Sequence, residues 1–355
     1  MKRIFLISSG LALMVLVTTS CLTSRDITIE IMDPAIKVIP SHMSTVALIS
    51  RNFKFSGDTL RINNRQNKFL QRDHNNRIIN VDSLATTSCL VGVTRQFKEN
   101  KVSVNTKIID YRTFDIEYGR ELSPIPWTVI EDICKRNKAD GVIALETYSY
   151  HNSVRSNYNN RFPAPESKVT YAALWSFYDP VKKKIIDTHT STDTVVWDSF
   201  DYNQPGNRLK IPNRIESIQE ASLINGENYA NRLSVHWIKV NRKYYIPASN
   251  EFKEAASLAQ KGNWEQATGI WLQIAQRQTN PRHTFFALYN LALASEMQGN
   301  TIEALSWAEK AFNSSAKLAD NTIKADAFNY VRILKKRVQL VEKIKNQMDV
   351  VNPRP

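Results

Sequence analysis

The C-terminal third of the chain repeats itself, and that repetition narrows the fold more than any other feature. Two stretches, EFKEAASLAQKGNWEQATGIWLQIAQ and FFALYNLALASEMQGNTIEALSWAEKAF, share one plan. Each has a helical spacing of apolar residues, a Gly-Asn break, and a second helical spacing. Gly262 and Gly299 mark the breaks; Ala255 and Ala292 stand seven residues before them, Ala267 and Ala304 five residues after, at an offset of 37 residues. Two helices that fold back on each other need a small side chain on each at the crossing. The glycine can adopt the left-handed conformation that ends the first helix. The pattern predicts two helix pairs joined by the loop QRQTNPRHT, which contains Pro281.

A last helix is predicted over TIKADAFNYVRILKKRVQLVEKIKNQM, with Ala327, Val331, Leu334, Val338 and Val341 on one seam. It is expected to cap the apolar end of the second pair or to be a third, degenerate repeat, with Arg332, Lys335, Lys336 and Arg337 projecting largely away. A nucleic-acid helix is the sharper alternative, but no aromatic stacking platform accompanies it.

These pairs resemble tetratricopeptide repeats, whose unit is about 34 residues with small residues at the same places. Trp271 stands where that family carries a large aromatic, Ala308 is its smaller equivalent, and Ser295 departs from the family's usual tyrosine. The resemblance implies a concave groove for a partner peptide. It would be lined by Phe252 in the first pair and by Phe286, Tyr289, Leu293, Glu296 and Met297 in the second. The alternative is that Phe286 and Tyr289 pack against the N-terminal domain or the cap.

The other end carries a processing pattern. Lys2 and Arg3 precede an apolar run from Ile4 to Val17, then Thr18, Thr19, Ser20 and Cys21. The run is shorter than the roughly 20 residues a membrane span needs and suits a signal-peptide core. It resembles a bacterial lipoprotein signal, with Thr18 in place of the commoner leucine. The resemblance implies cleavage between Ser20 and Cys21 and acylation of Cys21, giving palmitate-type anchoring. An ordinary secretory signal that includes a cysteine is the alternative. No acidic run follows Cys21, and the resemblance to such lipoproteins implies the periplasmic face of the outer membrane.

Between the two ends, the spacing predicts an extended arm over ITIEIMDPAIKVIP and a buried strand at TVALIS. A long, polar, mobile insertion follows at GDTLRINNRQNKFLQRDHNNR, then a helix over residues 81–98 and a strand at KVSVNTKII. Next come a helix at PIPWTVIEDICKRNKAD, a strand at GVIALETYSY, a hairpin turning at DPVKKK, a helix from Pro212 to Trp237 bent near Gly226, and a strand at IKVNRKYYI. The order β-α-β-α-β-β-β-α-β means a mixed sheet with helices on it. This rhythm is similar to the periplasmic domains of curli-secretion and penicillin-binding-protein-activator lipoproteins, over about residues 40–245.

The expected class is therefore α+β: a mixed-sheet domain followed by an all-α repeat domain. Its divisions are a signal at 1–20, a tether and arm at 21–40, the sheet domain at 41–247, repeats and cap at 248–348, and a tail at 349–355. As a whole the chain resembles repeat-bearing bacterial lipoproteins.

No site of chemistry stands out. None of the histidines (42, 74, 151, 189, 236, 283) lies four residues from another, so no helical zinc pair exists. No phosphate-cradling loop, nucleophile elbow or dinucleotide fingerprint is present. His236 beside Trp237 reads as structural, and His189 with Asp193 as outward residues of a strand. Cys89 and Cys134 read as buried thiols, with a single bridge between them as the alternative.

The formal charge of +13 favours anionic partners at long range without choosing among them. The expectation is a non-enzymatic, anchored, protein-binding module with no cofactor or metal. Its partners would be another envelope protein or peptide and the membrane, and not nucleic acid. Two rivals are a wall-polymer hydrolase using Asp140 or Glu146, and a ring-forming secretion component.

Overall fold

The computed structural model describes residues 24–51, 70–72, 78–110, 122–155, 166–198 and 211–351. The signal segment, with Ser20 and Cys21, and most of the polar insertion lie outside the described residues. The protein is α+β, and its described residues divide into two compact units. One joins residues up to Ile31 with Lys239–Gln339; the other joins Met32–Ile238 with the chain from Leu340 onward.

The second unit is built on a five-stranded sheet. Its strands are β2 (Thr45–Ser50), β5 (Asn105–Ile109), β6 (Gly141–Arg155), β7 (Glu166–Asp179) and β8 (Lys184–Asp198), in the order β5-β2-β6-β7-β8. β2 runs parallel to β5 and β6, and β6, β7 and β8 form an antiparallel meander. The two short strands β3 (Leu70–Arg72) and β4 (Ile78–Asn80) pair separately and lead into α1 (Val81–Glu99).

TVALIS is apolar at every central position because both of its faces are covered. Val46 and Leu48 join the core beneath α1 and α3 (Arg214–Leu233), while Ala47 and Ile49 join the core beneath α2 (Trp127–Asn137). On the first face Trp175 stacks on Tyr229 at 4.6 Å between ring centroids. Its indole N–H donates to Asn225 Oδ1 at 3.0 Å, so the buried donor is satisfied.

The sequence suggests a bend near Gly226, but α3 is one continuous helix. Gly226 is there for close approach. A Cβ at Gly226 would collide with the Cys89 carbonyl oxygen, and one at Gly92 with the Leu223 carbonyl oxygen. The glycines let α1 and α3 cross backbone to backbone. Local caps agree with the pattern. Asn80 caps α1, and Asn213 with Glu216 forms a capping box on α3. Asp179 Oδ1 accepts from the Val181 and Lys182 amides to close the hairpin turn.

Among its described residues the first unit carries two helix pairs, α4 (Asn250–Gln260) with α5 (Trp264–Arg277) and α6 (Pro281–Met297) with α7 (Thr301–Ser315), and most of a further helix. Gly262 and Gly299 hold φ of 83° and 82° at the two turns. Ala255, Ala267, Ala292 and Ala304 are fully buried in one core with Trp271 and Ala308. Asn280 caps α6, and Pro281 opens that helix rather than lying mid-loop.

Helix α8 (Asn321–Val351) buries Ile323, Ala327, Tyr330, Leu334 and Arg337 at spacings of four and three. Arg332, Lys335 and Lys336 are exposed as the sequence suggests, but Arg337 is on the buried seam.

Two further readings change. The expected tether is ordered from Ser24: Ser24–Asp33 forms β1, which pairs with β9 (His236–Tyr245) in a two-stranded sheet. Ile29 enters the core of the helical unit, with Ile27 and Ile31 packed against it. His236 therefore opens a strand rather than closing a helix. The alternation in ITIEI is a strand signal whose partner lies more than 200 residues away, and this hides it from local reading.

Candidate binding sites

Helix α6 is buried without interruption from Phe285 to Glu296. A helix that is apolar all round belongs inside a core and cannot line an open groove. Of the six residues assigned to a partner groove, Phe252, Phe286, Tyr289, Leu293 and Glu296 are buried, and only Met297 is exposed, at 37%. This corrects the groove reading, because the protein fills that space itself.

The filler is the end of β9. Asn290 clamps the Tyr245 backbone, its Oδ1 accepting from the Tyr245 amide at 2.8 Å and its Nδ2 donating to the Tyr245 carbonyl at 2.8 Å. Tyr245 stacks on Phe286 at 4.6 Å and meets Tyr289 edge-on at 5.0 Å. Arg242 forks onto Glu296 through Nε at 2.8 Å and Nη2 at 2.7 Å, and the Tyr330 hydroxyl donates to the same carboxylate at 2.9 Å. A buried carboxylate held by a fork and a phenol is fully partnered. The Tyr245 hydroxyl donates to Asp326 Oδ2 at 2.5 Å, with Lys243 Nζ 2.9 Å from the same oxygen. Burial, reinforced by Asp326, pushes the Tyr245 phenol well above its ordinary value. The sequence signal for all this was the run FFALYNLALA, apolar except at Asn290. The identity of the filler was not local.

The same unit presents aromatics outward. Phe312 on α7 is 40% exposed and Phe328 on α8 is 58% exposed, with ring centroids 6.2 Å apart. Arg332, Ile333, Lys335 and Lys336 are exposed on α8 beyond them.

The two carboxylates assigned to hydrolysis are each engaged. Asp140 Oδ2 accepts from the Ser44 amide, the Ser44 hydroxyl and the Thr45 amide at 2.8–2.9 Å. The Thr45 amide bond in particular holds its carboxyl below the usual range. Glu146 is buried, accepting from the Tyr178 hydroxyl at 2.5 Å and from Arg51 Nη1 at 3.2 Å.

Cys89 and Cys134 are free thiols in separate cores on opposite faces of the sheet. Burial raises both, Cys134 to about 11, which makes them poor nucleophiles. His189 lies against Tyr229, and its imidazole is held below 6.5 by burial and then by Arg232. Arg232 itself forks onto the buried Asp187 at 2.8 and 3.0 Å.

The sheet unit also contains a mostly apolar cavity of about 330 Å³. Residues 32–43, the turn after α1, the β9 start with Trp237, and Gln347 and Met348 of α8 surround it. No sequence motif marks this place. Among the described residues, no cluster of His, Cys, Asp and Glu has the makeup of a metal site, and no helix is long and apolar enough to cross a membrane.

A family model described as a domain of unknown function, DUF8603, matches residues 43–245. A second domain of unknown function, DUF6340, matches residues 253–336. Neither description is that of a tetratricopeptide or curli-secretion family. No curated protein sequence matches the chain.

Several solved structures are similar at low identity. A Helicobacter pylori homologue of neuraminyllactose-binding hemagglutinin is 12% identical, covering 55% of this chain and 86% of its own, with a TM-score of 0.28. The PelC dodecamer from Paraburkholderia phytofirmans is 11% identical, covering 60% and 100%, with a TM-score of 0.21. A minor lipoprotein from Acinetobacter baumannii is 10% identical, covering 54% and 98%, with a TM-score of 0.22. Scores this low carry no argument about function.

Proposed function

The chain belongs to the DUF8603 family, a membership that brings no activity with it, and we propose that it is a lipid-anchored binding module of the bacterial envelope. In this reading Cys21 bears the acyl groups at the periplasmic face of the outer membrane, and the helical unit, built like tetratricopeptide pairs, holds a partner protein. Anchoring confines the module to a surface and raises its effective concentration for partners there.

The observation that carries the reading is the exposed Phe312–Phe328 pair beside the basic side of α8. Aromatic rings flanked by cations, on a unit whose inner face is already filled, suit an acidic partner surface with an apolar socket. The contact face is thus the outer one rather than the inner groove.

Two experiments test this. The Phe312→Ser, Phe328→Ser double variant alters only exposed side chains, so its melting temperature is expected to stay unchanged. Detergent-solubilised membranes should then lose the bound partner in co-purification; a partner retained at wild-type yield rejects the outer face. Labelled palmitate should enter the wild-type chain and not Cys21→Ala. Label that persists in the variant removes the anchor.

A further inference from the structure

We infer that the cavity in the sheet unit binds one single-chain amphiphile with an anionic head, of the fatty-acid class. The cavity, at about 330 Å³, lies at the lower end of the roughly 300–1,000 Å³ range of small-molecule sites. A methylene group fills about the room of a water molecule, roughly 30 Å³, so the space suits one chain of roughly ten carbons.

Its lining is deformable. Met32, Met43 and Met348 line it, three of the four methionines among the described residues. Thioether side chains adapt to ligands of irregular outline. Trp237, 62% exposed, and Met348, 50% exposed, form an apolar lip.

The walls are fixed by polar clasps, so the space is preformed. Gln347 holds both backbone groups of Ala35, donating to its carbonyl at 2.8 Å and accepting from its amide at 3.0 Å. The amides of Ile36 and Lys37 both donate to the Arg232 carbonyl. Asn100 Nδ2 donates to Asn231 Oδ1 and Ser234 Oγ at 2.8 Å each, tying the turn after α1 to the end of α3. A pocket held open in this way avoids the ordering cost that a collapsed one would impose on binding.

At the lining Lys101 and Glu99 offset each other, with the imidazole of His236 beside them, so the preference for a head group comes from the charge of the protein around the cavity. The protein as a whole is strongly basic, which favours an anionic head over a cationic one. This inference shares no residue with the Phe312–Phe328 reading and does not depend on it.

Calorimetric titration of decanoate into the full chain carrying Cys21→Ala, which has no acyl group of its own, tests the inference. We expect saturable binding at one site, a negative heat-capacity change, and about tenfold or greater weakening in Val102→Trp, which fills the cavity. Met348→Trp, on the exposed lip, gives a second reading should Val102→Trp fail to fold. Decyltrimethylammonium is expected to bind about tenfold more weakly than decanoate. Three results would overturn the inference: no saturable binding, equal affinity in a folded cavity-filled variant, or equal affinity for the cationic amphiphile. Both variants carry the same leader as their parent, so an effect of the leader cancels.

Discussion

The two units close their interiors in opposite ways. The helical unit fills its inner face with a charged and aromatic strand end, where Arg242 pairs with Glu296 and the Tyr245 backbone with Asn290. The sheet unit brings two helix backbones together at Gly92 and Gly226 over an apolar sheet. One interior is specified by side chains that must be present, the other by side chains that must be absent. The first kind tolerates no loss of a partner, and the second no gain of a methyl.

The largest test of that contrast is Arg242→Ala. It leaves the Glu296 carboxylate buried with only the Tyr330 hydroxyl still donating to it. Loss of one member of a buried ion pair costs about 3–5 kcal/mol, and chemical denaturation should show a loss of that size.

Next is one substitution at two glycines. Gly226→Ala forces a methyl against the Cys89 carbonyl and should cost roughly 1–3 kcal/mol or more. Gly262→Ala meets no neighbouring atom and loses only the left-handed preference, about 1 kcal/mol. Equal losses at the two positions would break the distinction between a crossing glycine and a turn glycine.

Asp140→Ala removes the acceptor for three donors at the start of β2 and should cost about 1–2 kcal/mol. Its carboxyl sits below the usual range, so the stability it supplies is present above the unfolded value, near 3.8, and fades as pH falls through the folded one.

The smallest effect is at His189. Its folded imidazole titrates below 6.5, so the unfolded chain binds the proton first as pH falls. Its contribution is complete above 6.5 and declines below it. His189→Gln should flatten melting temperature against pH on the acid side.

What the sequence made legible follows the same division. The helix pairs were readable because every residue that defines them, Ala255 to Gly262 and Ala292 to Gly299, lies within one or two helical turns of the next. TVALIS and the DPVKKK hairpin were readable for the same reason. The filler of the helical unit was not, since Arg242 and Tyr245 meet Glu296 and Asn290 across some 45 to 54 residues. β1 pairs with a strand at the far side of the chain, so its alternation read as an arm. Gly226 stands out in the sequence, but a lone glycine in a helix reads equally as a bend or a crossing until the opposing Gly92 is placed against it. The cavity has no motif at all, because residues from four separate segments enclose it.

The claim on which the functional account rests is that a partner meets the outer Phe312–Phe328 face because the inner face is filled by β9. Photo-crosslinking in native membranes tests it most directly, with benzoylphenylalanine placed at position 328 and, as a comparison, at position 182 in the β7–β8 turn. The account predicts one discrete adduct from 328 that disappears with Phe312→Ser, and none from 182. An adduct from 182 with none from 328 would contradict it.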